Sequence, residues 1–298
     1  MIQVQNVQQQ PSQDVREQLY SQLEDYMGLS STKKKMDSSE KSGGTTLKRK
    51  SSEQSSSSSS SKALSKNTLA IKVNGKTVKG SAQNIVGRVV EAEMGASFRE
   101  EALKAQAVAA YTYIRYNNQK GTIPSLPAKS SVSAKVEDAV EQVIGEALYY
   151  QGEYINATYC ASNAGNSVDS ENVWGGYLPY LRSVESPGDT TLKAYGAVKR
   201  FSEEEIAQYI EENLDVDPYD YSDPDEWFED EEYINGRYVD SIRVCGKRLS
   251  GREVREELME FALPSAAFEV EYDDGEFIFT TYGYGHGVGM SQRGAQTM

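Results

Sequence analysis

The sequence predicts a mixed α+β fold, and three observations carry that reading. Leu69, Ile71 and Val73 alternate with polar residues and run into Asn74-Gly75, a strong hairpin signal. The stretch from Asn84 to Asn118 reads instead with helical spacing, as two helices joined by a tight corner. A late pair of alternating segments, 267–272 and 276–281, flanks Asp273-Asp274-Gly275 as a second hairpin.

The front of the 298-residue chain is of a different character. Residues 1–66 hold ten Lys/Arg and seven Asp/Glu and include the run Ser55–Ser61. Such a composition buries too little apolar surface to offset chain entropy, so a disordered tail is expected there. Within it, Val15, Leu19, Leu23 and Met27 are spaced for a short amphipathic helix over 13–28. The formal net charge of −14 is concentrated further on. Fifteen acids and no Lys or Arg lie between Glu203 and Glu232, and 215–232 is expected to be a solvated acidic insertion. An acidic chain of this kind argues against a nucleic-acid partner, which requires a basic face.

The folded part is expected to span 67–298. After the first hairpin, Ile85, Val86, Val89, Val90 and Ala92 share one helical face. Glu93 falls on that same face, and Glu91 is directed towards water. A carboxylate on the buried side with no basic residue one turn away has a raised pKa and suits a general acid. The alternative is a Glu that only caps or pairs at a helix end. Gly95 breaks this helix, and Ser97 with Glu100 reads as a capping box opening the next. A third helix is expected over about 136–145. A hairpin follows, with strands 147–150 and 154–159 about Gln151-Gly152. Ser202 with Glu205 opens a helix running to about Leu214, 238–245 alternates as a strand, and Ser250 with Glu253 starts a short helix.

The polar loop around Ser162, Asn163, Asn166 and Ser167 offers hydroxyl and amide groups suited to sugar hydroxyls; an ordinary turn with local bonds is the alternative. Trp174, before Gly175-Gly176, could stack on a sugar ring or be structural. His286, the only histidine, sits among four glycines, which makes exposure to a groove plausible. Cys160 and Cys245 are too few and too far apart for a zinc site, which needs three or four ligands. A G-x-S-x-G elbow, a phosphate-binding loop and a dinucleotide fingerprint are all absent from the sequence.

VVEAEM followed by EALKAQAVAAYTY, NATYCASNAGNSVDSENVWGG at 156–176, PYLRSVESPGD at 179–189 and GYGHGVGMSQRGA at 283–295 together resemble the stage II sporulation protein D (SpoIID/LytB) family. The resemblance covers about 67–298. It implies a lytic transglycosylase of peptidoglycan, with Glu93 as catalytic residue and no cofactor, or alternatively a non-catalytic glycan-binding enhancer of a cell-wall amidase. It implies as substrate-binding residues Ser162, Asn163, Asn166, Ser167, His286 and Gln292, with Ala164 where the family has a glycine. The implied partners are glycan strands and a cell-wall amidase or another sporulation envelope protein. The implied location is extracytoplasmic, although the chain shows neither a signal peptide nor a membrane segment. Relatives also continue past the GYGHG motif, so a domain shortened at its C-terminus is expected.

Overall fold

The computed structural model describes residues 67–298. The tail and the helix expected over 13–28 lie outside the described residues. What is described is α+β, built around two hydrophobic cores.

The first core begins with the expected hairpin, β1 (Thr68–Val73) against β2 (Lys76–Ser81). Asn74 and Gly75 turn it with φ of 48° and 76°, values that an Asn-Gly pair accepts at little steric cost. Ser81 then caps α1 (Ala82–Glu93), its Oγ accepting from the Asn84 N–H at 3.3 Å. Ile85, Val86, Val89 and Val90 are buried as their spacing requires. Gly95, at φ 70°, closes the helix.

α2 (Glu100–Gln119) follows, but without the expected capping box. Arg99 is the N-cap, with no side-chain cap bond, and its N–H donates to Gln296 Oε1 at 2.6 Å. The Glu100 carboxylate instead pairs with Lys104 and accepts from Gln142. A long-range contact thus replaces the local one. Ala102, Ala107, Ala109 and Ala110 are buried on α2, which lets α1 and α3 (Ala134–Val143) lie close against it.

The next hairpin is shorter than expected, with only β3 (Tyr149–Tyr150) and β4 (Glu153–Tyr154) pairing. The end of the expected 154–159 strand forms β5 (Tyr159–Cys160). A short helix α4 (Ser170–Trp174) and a 3₁₀ turn, Pro187–Thr191, lead out of this core.

The second core packs α5 (Glu203–Leu214), opened by the expected Ser202–Glu205 capping box, onto two sheets. One sheet has the order β10 (Phe268–Asp273), β11 (Glu276–Tyr282), β6 (Tyr195–Ser202); its β10–β11 turn at Asp274-Gly275 has φ of 48° and 84°. The other has the order β7 (Phe228–Ile234), β8 (Tyr238–Val244), β9 (Lys247–Leu249).

The acidic stretch 215–232 is therefore more than a solvated insertion. It holds α6 (Pro218–Tyr221), a 3₁₀ turn and the start of β7. Trp227, in its midst, is fully buried and stacks on Phe277 at 5.4 Å. The acids face solvent while one aromatic anchor fixes the segment. Ser250 and Glu253 form the second expected capping box, starting α7 (Gly251–Glu253), which continues as a π-helical turn, Val254–Leu258.

After β11 the chain returns to the first core. Val288 and Met290 are buried there, and β12 (Met290–Ser291) pairs in parallel with β5. The last described element is α8 (Gln292–Thr297).

Candidate active site around Glu93

Glu93 is the final residue of α1, where the apolar stripe of that helix meets two later segments. Its Oε1 accepts from the Tyr159 hydroxyl at 3.3 Å, and its Oε2 accepts from Gln292 Nε2 at 3.3 Å. The same Gln292 nitrogen lies 3.4 Å from Gln106 Oε1 on α2. β5 and α8 thus converge on one carboxyl group, with Gln106 of α2 behind Gln292, and both carboxyl oxygens are met by neutral donors.

The residue keeps a little surface, but its carboxyl group is densely surrounded. Desolvation is the largest influence and pushes its pKa up to about 8, against the smaller downward pull of Gln292 and Tyr159. Burial and the carboxyl group likewise push the Tyr159 hydroxyl well above its ordinary value.

Glu91 has a different task from the one its helical angle predicts. It is half-buried, and its Oε2 accepts from the Ser133 N–H at 3.0 Å and from Ser133 Oγ at 2.7 Å. Burial opposes its charge, yet the two Ser133 bonds and Lys129 outweigh that and hold it below the ordinary carboxylate range. It ties α1 to the N-cap of α3.

Of the other residues expected at the site, the structure brings Gln292 to Glu93. Ser162, Asn163 and Ser167 are 3% exposed or less, and their bonds run into the fold. Ser162 exchanges backbone bonds with Tyr284. Asn163 donates from its N–H to Asp189 and from its side chain to Gly289 O at 3.4 Å. Ser167 Oγ accepts from the Val184 N–H at 2.9 Å. These three are not presented to an open groove. A buried polar group must be satisfied internally, and the side chains of Asn163 and Ser167 bond backbone groups of Gly289 and Val184.

Asn166 is half-buried on the wall of a separate open groove of about 570 Å³, lined also by Glu185, Tyr195, Tyr233 and Arg237.

His286 departs from the expectation of a groove-facing side chain. It is 6% exposed, packs on Trp174 with ring centroids 4.9 Å apart, and accepts the Val288 N–H on Nδ1 at 3.2 Å. It borders a water-sized cavity with Val168, Asn172 and Arg252. Burial first, then Arg255 and Arg252, push its pKa well below the ordinary value. Its flanking glycines serve close packing: a Cβ at Gly287 would lie 2.4 Å from the Tyr238 ring.

Three residues of this region escape the sequence reading: Tyr159, Gln106 and Asp189. All three lie inside segments that carry the resemblance, but nothing local marks Tyr159 as meeting Glu93, Gln106 as meeting Gln292 or Asp189 as meeting Ser291. Among the described residues no group of three or more His, Cys, Asp or Glu is arranged to hold a metal ion.

Comparison with known proteins agrees with the segments quoted above. The model of the family described as "Stage II sporulation protein" (SpoIID) matches residues 76–150. Stage II sporulation protein D of Bacillus subtilis (strain 168) is 33% identical over 258 residues, covering 75% of this chain and 71% of that protein. The protein of the same name from Bacillus amyloliquefaciens is 32% identical with the same coverage. An amidase enhancer of Bacillus subtilis (strain 168) is 26% identical over 70% of this chain, which spans 36% of that longer protein.

Proposed function

Because the chain belongs to the stage II sporulation protein D family, we propose that it is a lytic transglycosylase. It cleaves the MurNAc–GlcNAc bond of peptidoglycan during cell-wall remodelling in sporulation. The observation that carries this reading is the single carboxyl group of Glu93, lifted to about 8 and held between Tyr159 and Gln292.

A carboxyl group of that pKa is protonated at neutral pH and can give its proton to the leaving glycosidic oxygen. As carboxylate it then takes the proton of the sugar's own 6-hydroxyl, whose oxygen closes onto the anomeric carbon as a 1,6-anhydro ring. Glycosidases that use water pair two carboxylates. Here the neighbouring acid, Glu91, is engaged with Ser133, and one residue acting twice suffices. Tyr159 and Gln292 donate to the charged form and moderate the cost of ionising it between the two steps. The chemistry needs no cofactor.

On this reading residues 67–298 are the SpoIID/LytB-like domain, its partner is the glycan strand, and it works in the cell envelope. Among the described residues no helix is long and apolar enough to cross a membrane.

A second reading follows from the similarity to an amidase enhancer: the domain holds glycan and stimulates a cell-wall amidase without cutting. Incubating the protein with purified peptidoglycan and analysing the products by mass spectrometry separates the two. Anhydro-muropeptides that vanish with Glu93→Gln support the transglycosylase. Their absence, together with stimulation of an added amidase, supports the enhancer.

A further inference from the structure

Asp189 is 1% exposed, and its carboxylate is fully engaged. Its Oδ2 accepts from the Asn163 N–H at 3.0 Å and from Ser186 Oγ at 2.7 Å, and its Oδ1 accepts from Ser291 Oγ at 2.7 Å. All three donors are neutral, so burial raises its pKa while the three bonds oppose the rise. A carboxylate held this deep by neutral donors is costly unless the geometry it enforces has a use.

The geometry leads to Glu93. Ser291 is the N-cap of α8, accepting from the Gly294 N–H at 2.8 Å, and the next residue is Gln292, whose amide meets Glu93. The turn carrying Asp189 also lies directly on α8. A Cβ at Gly188 would come within 1.9 Å of Thr297 Oγ1, and one at Gly294 within 2.9 Å of Ser186 Oγ. On its other side Asp189 fixes Asn163, whose side chain reaches Gly289 just ahead of β12.

We propose that Asp189 is a positioning residue for Glu93, holding Ser291 and through it Gln292 against the carboxyl group. The proposal rests on the reading of Glu93 as the acting group. It touches neither substrate nor reacting atoms; it fixes the register of α8 so that one amide donor faces Glu93 Oε2.

The test reads Glu93 itself rather than turnover. The carboxyl carbon of Glu93 is followed by NMR in protein labelled with ¹³C-glutamate, assigned by its loss in Glu93→Gln. Asp189→Asn preserves size but presents a donor where an acceptor stood. Ser291→Ala removes the same link from the other end and serves where Asp189→Asn does not fold. Gln292 donates to the charged form, so releasing it raises the Glu93 midpoint. The expected shift in either variant is upward by about half a pH unit or more, the size of one lost neutral hydrogen bond. In a Gln292→Ala background the same substitutions produce no further shift, because the group they act through is gone.

A folded Asp189→Asn or Ser291→Ala with an unchanged midpoint overturns the proposal. So does a shift that persists undiminished without Gln292. Neither result depends on glycan cleavage. A parent protein that releases no anhydro-muropeptides overturns the transglycosylase reading and leaves the titration result to stand or fall by itself.

Discussion

Tyr159 and Gln292 each donate to one oxygen of Glu93 at 3.3 Å, and they come from segments paired in parallel by β5 and β12. The sheet pairing sets the spacing of the two donors, and the carboxyl group occupies the space between them.

Glu93→Gln keeps the shape of the site and removes its titration. Anhydro-product formation should fall by about 10²–10⁴-fold, the usual scale of general acid–base assistance. Glycan binding, measured by co-sedimentation with insoluble peptidoglycan, should persist.

Glu93 also bears on stability. Its pKa rises from 4.5 to about 8 on folding, so between those values the folded state holds a proton that the unfolded chain has released. Its contribution is present below pH 4.5 and is lost as pH rises through 8. Glu93→Gln should therefore melt higher than the parent at pH 9, with the difference shrinking towards pH 5. Equal melting curves at both pH values would refute the desolvation argument.

Tyr159→Phe removes a donor to the charged form of Glu93, so the Glu93 pKa moves up. The acid must be protonated to act first, and the alkaline limb of the kcat/KM profile should move to higher pH. A limb shifted the other way would mean that Tyr159 stabilises the neutral acid.

Glu91→Gln weakens two bonds to the N-cap of α3. Thermal or urea unfolding should show a loss of about 1 kcal/mol, the typical net worth of a hydrogen bond. Product formation per folded molecule should change little.

His286 gives the opposite pH dependence to Glu93. Its folded pKa lies well below 6.5, so on acidification the unfolded chain takes up a proton first. Its contribution to stability is present above pH 6.5 and is lost as pH falls below it. Over pH 7 to pH 5 Glu93 acts in the other direction in both proteins, so the difference is the readout: His286→Gln should gain melting temperature relative to the parent as pH falls.

What could be read from the sequence was local. The Asn74-Gly75 and Asp274-Gly275 turns and the capping boxes at Ser202 and Ser250 each depend on residues a few positions apart, and each is present. The apolar stripe of α1 placed Glu93 by the same kind of argument. Where a distant segment competes, local reading fails. The box at Ser97 gives way to Gln296, and Glu91 turns from solvent to Ser133. In the polar loop read as sugar-facing, the side chains of Asn163 and Ser167 are taken up by backbone groups of Gly289 and Val184, and Ser162 is buried. No residue spacing distinguishes an amide awaiting a ligand from one already satisfied inside the fold.

The parallel pairing of β5 with β12 also has a consequence for the order of assembly. α1, α2 and β5 leave the ribosome long before residues 290–292 are made. A nascent chain of that length can bury the apolar stripe of α1 yet still lacks Gln292, the donor to Glu93 Oε2. The carboxyl group therefore stays incompletely dressed until residue 292 has been made.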